Sequence, residues 1–254
     1  MAALTQGLAR AGQAHWLAVY AIIALAWAGL MAGAVEGGRG AAMLWADLCR
    51  ADAGIAGFPA VLAMWALMGA AMMLPTFVPA LSTYDDLIAA GAGTRAGFAR
   101  LAMGYLAVWL GFAGIAAAAQ IALAGLAAPP AWLAGGLLIV AGAYQFSPWK
   151  DSCLSRCRAP LTVFLGAMRP DGAGGFRTGL RMGADCLGCC WALMALGLIG
   201  GAMTLLWMGL AMLMMTLEKL PRLGVPLTRP LGAALIGAGL ATLFVASAAG
   251  DKVF

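Results

Sequence analysis

The chain has 254 residues, of which 64% are hydrophobic and only 10% charged, with a formal net charge of +5 and a mean hydropathy of +0.93. That is too little polar surface to coat a soluble globule, and the apolar residues come in long runs rather than in the short alternating segments of a β-barrel. The expectation is an all-α, polytopic transmembrane helical bundle of one domain, residues 1–254, with the lipid bilayer as its surroundings and no basic stripe suited to nucleic acid.

Residues 1–15 form a short polar leader with Arg10 and the single histidine, His15. Trp16 to Val35 is long enough to cross a hydrocarbon core of ~30 Å at ~1.5 Å per residue. Leu17 to Met31 followed by Ala32-Gly33-Ala34 imitates a secretory signal and its cleavage site, but the segment is taken as the first span. Glu36 to Gly57 is a loop holding Cys49, and Phe58 to Leu81 is the second span, with Met64, Met68, Met72, Met73 and Pro75. Ser82 to Phe98 reads as a polar turn, Arg100 to about Leu126 as the third span, and Pro129-Pro130 as a break before the fourth, Trp132 to about Phe146.

The longest polar stretch, Ser147 to Arg181, carries Lys150, Arg156, Arg158, Arg169, Arg177 and Arg181 against Asp151 and Asp171, so the positive-inside rule places it in the cytoplasm. Met182 to Leu217 would make one helix of roughly 54 Å, too long for an upright span, and a turn at Gly200-Gly201 would divide it in two. With that turn, the basic loop of Lys219, Arg222 and Arg229 also falls inside. The last span runs from about Leu231 to Ala248. The count is six to seven spans, seven if the chain turns, with a cytoplasmic N-terminus in a bacterial inner membrane.

Five of the six cysteines lie between Ser147 and Trp191. Cys153 and Cys157 are four apart, as are Cys186 and Cys190, with Cys189 on the neighbouring flank, so each group shares a helix face. Nearby Lys150, Arg156, Arg158 and Arg181 would favour thiolate, the form that binds metal. Thiolates with thioethers select copper(I), whereas four closed thiolates would suit zinc or an iron–sulfur cluster. Met64, Met68 and Met72 line one stripe, and Met72 and Met73 approach the end of the second span that faces the cysteines; such a stripe serves packing as well as ligation. Asp185 precedes Cys186 and could orient a ligand or compete for the metal. Asp85 and Asp86 read as a solvated helix boundary, His15 as an interfacial residue, Glu218-Lys219 as a charge pair closing a span, and Cys49 as structural. One histidine leaves no histidine-based triad, and no phosphate-binding glycine loop is present, so a non-enzymatic role is expected.

Three strings carry a resemblance: Met68-Gly69-Ala70-Ala71-Met72-Met73-Leu74-Pro75; Tyr144-Gln145-Phe146-Ser147-Pro148-Trp149-Lys150 leading to Cys153 and Cys157-Arg158-Ala159-Pro160; and Cys186-Leu187-Gly188-Cys189-Cys190-Trp191-Ala192-Leu193-Met194. Together with Glu218-Lys219 they resemble the bacterial family of predicted metal-binding integral membrane proteins, domain of unknown function 2182, from about the second span to Lys219. The resemblance implies copper handling, with supply to a copper enzyme client, through Cys153, Cys157, Cys186, Cys189 and Cys190, partnered by Met72 and Met73. Where the family has a His-Gly-x-Tyr stretch before the third cysteine, this chain has Met182-Gly183-Ala184-Asp185, which removes an imidazole ligand. Two other readings stay open: an accessory or assembly subunit of a larger membrane complex with a structural metal or disulfides, and a quinone-linked thiol-disulfide oxidoreductase.

Overall fold

Prolines and glycines, more than apolar periodicity, decide how the helices meet. The computed structural model describes residues 2–35, 53–123, 131–167, 174–198, 205–220 and 224–248. These residues form nine α-helices: α1 (Ala2–Val35), α2 (Ala53–Ala89), α3 (Arg95–Leu123), α4 (Ala131–Tyr144), α5 (Pro148–Arg158), α6 (Pro160–Ala167), α7 (Gly174–Ala195), α8 (Leu205–Lys219) and α9 (Gly224–Ala248), with a short 3-10 turn at Leu196–Leu198. Cys49, Pro129-Pro130, Arg169, Asp171, Gly200-Gly201 and Arg222 lie outside the described residues. Among the described residues, four helices are long and apolar enough to cross a membrane, with windows at Ala14–Met31, Gly57–Ala89, Arg95–Leu123 and Pro226–Ala248; Ala131–Tyr144 is a shorter apolar helix. Leu25, Ile115, Trp132 and Phe244 project outward from these helices.

α2 bends at Gly57, whose φ of 74° interrupts the helix, and carries Pro59, Pro75 and Pro79 inside it. A proline lacks the N–H that the carbonyl four residues earlier would accept. At Pro75 the carbonyl so released belongs to Ala71, and Trp27 Nε1 donates to it at 3.0 Å, joining α1 to α2. At the other end of the pair, Asp85 accepts from Trp16 Nε1 at 2.8 Å and meets His15 Nε2 at 3.0 Å. Asp85 is therefore a tie between helices, which its place in a polar stretch did not reveal, while Asp86 is exposed as expected. These contacts make α1 and α2 antiparallel. α3 runs antiparallel to α2 in turn, since Tyr105 reaches the Met73 carbonyl and Trp65 reaches Gln120.

α7 lies parallel to α3 along a seam of glycines. Gly175, Gly179 and Gly183 recur every four residues and face Gly97, Leu101 and Tyr105; a methyl group at Gly179 would overlap the Leu101 carbonyl oxygen, and one at Gly175 would lie 2.8 Å from the Gly97 oxygen. Small residues at this spacing let helix backbones touch where burial from water supplies no drive. Gly179→Val is expected to destabilise the fold by about 3 kcal/mol, because backbone cannot move aside as a side chain can. A detergent melt in which this variant matches the parent would overturn the seam. α4 and α9 meet through a second seam, Gly135 and Gly142 against Gly239 and Gly232.

Two stretches read as loops are largely helical. α2 continues through Ser82 to Ala89, and the polar stretch from Ser147 contains α5, α6 and the start of α7. Ser147 caps α5 by accepting from Trp149 N, with Pro148 at the first helical position. The segment from Met182 to Leu217 does fold back. Cys186 and Lys219 would be roughly 50 Å apart on one continuous helix, yet their side chains are in contact at 3.1 Å.

Candidate metal centre

Cys186, Cys189 and Cys190 occupy positions i, i+3 and i+4 of α7, so the helix turn alone puts them on one face. Their sulfurs lie within 4.8 Å of one another and all three residues are buried. Cys189 and Cys190 are 3.2 Å apart at Sγ, and Cys189 Sγ donates to the Cys186 carbonyl at 3.1 Å. The five cysteines among the described residues are free thiols.

Around Cys186 the helices supply a ring of polar groups. Lys219, at the end of α8, donates from Nζ to Cys186 Sγ at 3.1 Å and to Thr76 Oγ1 at 2.6 Å. Thr76 donates to the Met73 carbonyl at 2.9 Å, the same carbonyl lies 3.0 Å from the Tyr105 hydroxyl, and that hydroxyl lies 3.0 Å from Cys186 Sγ. Tyr105 has one proton for two acceptors. With a neutral thiol, Tyr105 donates to Met73 and Cys186 donates to the phenol oxygen; with a thiolate or a metal-bound sulfur, the phenol proton turns to Cys186, and Thr76 still satisfies the carbonyl. Phe77 stacks on the Tyr105 ring at 3.9 Å between centroids and holds it in this position. Neither Tyr105 nor Thr76 stood out in the sequence, and Lys219 read as the partner of Glu218.

Glu218 is instead engaged by the polar segment. Lys150 Nζ donates to its two carboxylate oxygens at 2.9 and 2.8 Å and also to Gln145 Oε1, with Lys150 and Glu218 0% and 2% exposed at their side chains. Arg158 donates from Nε and Nη2 to the Glu218 carbonyl at 2.9 and 2.7 Å. The α5 cations therefore fasten α5 to the end of α8, which sets Lys219 beside Cys186.

Cys153 and Cys157 sit half-buried on α5, next to the buried trio. Cys157 shares with Cys186 the wall of a cavity. Cys153 lies over Gly188, where a methyl group would come within 2.7 Å of its sulfur; the glycine is what lets α5 close on α7. Asp185 turns toward α5 and pairs with Arg156 at 2.7 Å, leaving its second oxygen buried without a hydrogen-bond partner. The expectation that nearby cations favour thiolate fails at Cys153. Burial pushes this thiol above its ordinary range and the Asp185 carboxylate adds to the shift, while Arg156 opposes it. Cys153 is thus expected to alkylate more slowly than a free cysteine near neutrality and to gain reactivity only above the ordinary thiol range. Asp185→Asn, which removes a negative charge, should move the profile to lower pH. Peptide mass spectrometry after timed iodoacetamide treatment reads both, and a free-thiol profile in the parent would refute the shift.

Met72 and Met73 are buried in the core with Met64 and Met68. Met73 joins the ring through its carbonyl. Three soft donors lie together with one ammonium group beside Cys186, an arrangement able to bind a thiophilic monovalent cation or a divalent one with an open position.

No curated protein and no solved structure matches the chain. The model of the PpoB2 family, described as copper chaperone, matches residues 62–242, a stretch that includes Thr76, Tyr105, the five clustered cysteines and Lys219. The chain therefore belongs to the PpoB2 copper chaperone family.

Proposed function

We propose that this protein holds copper(I) at Cys186, Cys189 and Cys190 and hands it to a client, with Cys157 and Cys153 as the outer thiols through which the ion arrives or leaves. The observation that carries the reading is the convergence of three buried sulfurs within 4.8 Å of one another beside Lys219. Copper(I) accepts two or three thiolates, whereas a structural zinc site closes with four ligands. Lys219 offsets part of the negative charge that thiolates bring into a buried site. Met72 and Met73 would act as supporting thioethers rather than as the principal donors.

The placement we propose is a multi-pass protein of six to seven spans in a bacterial inner membrane. The starts of α3 and α7 meet through Gly97–Gly175, and the end of α2 lies at the same end, where Asp85 meets His15 of α1 and His15 packs on Phe98, whereas the end of α8 meets α7 deeper in the bundle, at Cys186. By sequence, Arg95, Arg100, Arg177 and Arg181 belong to the end where α3 and α7 start, which supports a cytoplasmic mouth and N-terminus. The client would be a copper enzyme. A cytoplasmic position of the five cysteines, as proposed here, favours a metal site over a disulfide relay.

The test is anaerobic purification in detergent, followed by elemental analysis and a free-thiol count before and after chelation. About one copper per chain with thiols masked until the chelator is added is the expected result. Full thiol titration with no copper after reconstitution would refute the reading.

A further inference from the structure

A cavity of about 120 Å³ lies against Cys186, walled by α2, α3, α5 and the end of α8. Its polar lining is Lys219, Arg158, Tyr105, Thr76, Thr216 and the thiols of Cys157 and Cys186, and among the described residues no carboxylate lines it. Liquid water takes about 30 Å³ per molecule, so the space suits a ligand of a few heavy atoms. The lining is mostly apolar, with Phe77, Pro79, Ala80, Pro160 and Met182, and its only charged groups are the cations Lys219 and Arg158. An apolar cavity with two cations in its wall, touching one sulfur of the cluster, suits a small soft anion that reaches the metal from that side.

We propose that this cavity is an exchange port, which admits one small thiolate and lets it replace Cys186 on the bound ion. The inference rests on the copper reading of the thiol cluster and adds the route by which the ion is released. In the exchange the incoming sulfur donates an electron pair to copper(I) as the bond to Cys186 Sγ breaks. Cys186 departs as thiolate with that bonding pair, the oxidation state is unchanged, and no proton moves between the two sulfurs. While both sulfurs are on the metal, the site carries one more negative charge than at rest. Lys219 and Arg158 are placed to offset it, at a point where low dielectric magnifies the benefit. The departing sulfur already has two donors in reach, Lys219 Nζ at 3.1 Å and the Tyr105 hydroxyl at 3.0 Å. Cys189 and Cys190 keep hold of the ion meanwhile, because Cys186 is the member of the trio on the cavity wall. Run in reverse, the same steps load the site.

The thiolate can come from a free low-molecular-weight thiol or from a cysteine side chain of a client, and either must have a narrow stem. The experiment uses the full copper-loaded chain in detergent and follows copper loss to an excess of a coloured copper(I) chelator. 2-Mercaptoethanol is expected to accelerate loss in proportion to its concentration, and 2-methyl-2-propanethiol, which is branched at the carbon bearing sulfur, to do so about tenfold less at equal thiolate concentration. Glutathione or a longer flexible cysteine-containing peptide as effective as 2-mercaptoethanol identifies a client side chain as the source; cysteine peptides as slow as the branched thiol identify a free low-molecular-weight thiol. Thr216→Phe and Ala80→Leu fill the cavity without altering a sulfur. Each is expected to keep the resting copper content and the thiol-independent rate, while the thiol-dependent rate falls about tenfold. Equal acceleration by small and bulky thiols, or full acceleration in a cavity-filled variant that retains copper, would overturn the port and leave the copper site standing. Failure of the parent chain to load copper at all would overturn the copper site and the port with it.

Discussion

Joint replacement of Cys186, Cys189 and Cys190 by serine is expected to reduce copper from about one ion per chain to less than about a tenth, with far-UV circular dichroism unchanged. Serine keeps the shape of the side chain and a hydrogen-bonding atom, so Lys219 and Tyr105 retain a partner at position 186. What it removes is the soft donor, and a neutral hydroxyl is a poor ligand for a monovalent thiophilic ion. Lys219→Met should have a graded effect, since Lys219 touches a ligand and not the metal; losses of about 10–100-fold in affinity follow from removing such support. Competitive titration against a chelator of known affinity orders the series as parent, Lys219→Met, triple serine. Full copper retained by the folded triple variant would remove these sulfurs from the site, and equality of the first two would remove Lys219 from any part in binding.

The second large effect concerns the buried ion pair. Lys150→Met is expected to destabilise the protein by about 3–5 kcal/mol, because it leaves the Glu218 carboxylate buried without its cation. The double variant Lys150→Met/Glu218→Leu should recover most of that loss, as two apolar side chains need no partner and Arg158 bonds to the backbone carbonyl at position 218 whatever its side chain. Detergent unfolding curves of both singles and the double form a cycle that isolates the pair. If the double were as unstable as Lys150→Met, the contribution would lie in packing around Gln145 and not in charge. Copper content in the double variant tests a further point: the pair fastens α5 to α8, so a shift of α8 should weaken the Lys219 contact to Cys186.

Much of this architecture could be read from composition and spacing. The long apolar runs located the central parts of α1 to α4 and α9, but α1 begins well before Trp16, in the stretch read as a polar leader, and α2 runs on past Leu81. The polar segment was misjudged because charge was taken as a sign of loop. Ser147-Pro148 is a helix-start signal with a cap and a proline in register, and it outweighs the Lys-Asp-Ser run that follows. Four cations of that segment were assigned to the thiols, but three of them found oxygen first: Lys150 at Glu218, Arg156 at Asp185, Arg158 at a carbonyl. Hard charged groups satisfy each other before they serve a neutral sulfur. The ammonium that does meet a thiol comes from α8, by a fold-back that no local pattern encodes. Tyr105 was invisible for the same reason. The repeat Gly175, Gly179, Gly183 was a legible signal that went unused.

The parallel seam between α3 and α7 also bears on biogenesis. Membrane proteins are threaded into the bilayer from the N-terminus as they are synthesised, so α1 to α3 can settle against one another while α7 is still inside the ribosome. The groove on α3 that receives the glycines must wait for a partner more than 70 residues downstream, and Lys219 emerges later still. The trio of thiols therefore meets its ammonium only after α8 has been made, and the polar ring around Cys186 is completed late in synthesis.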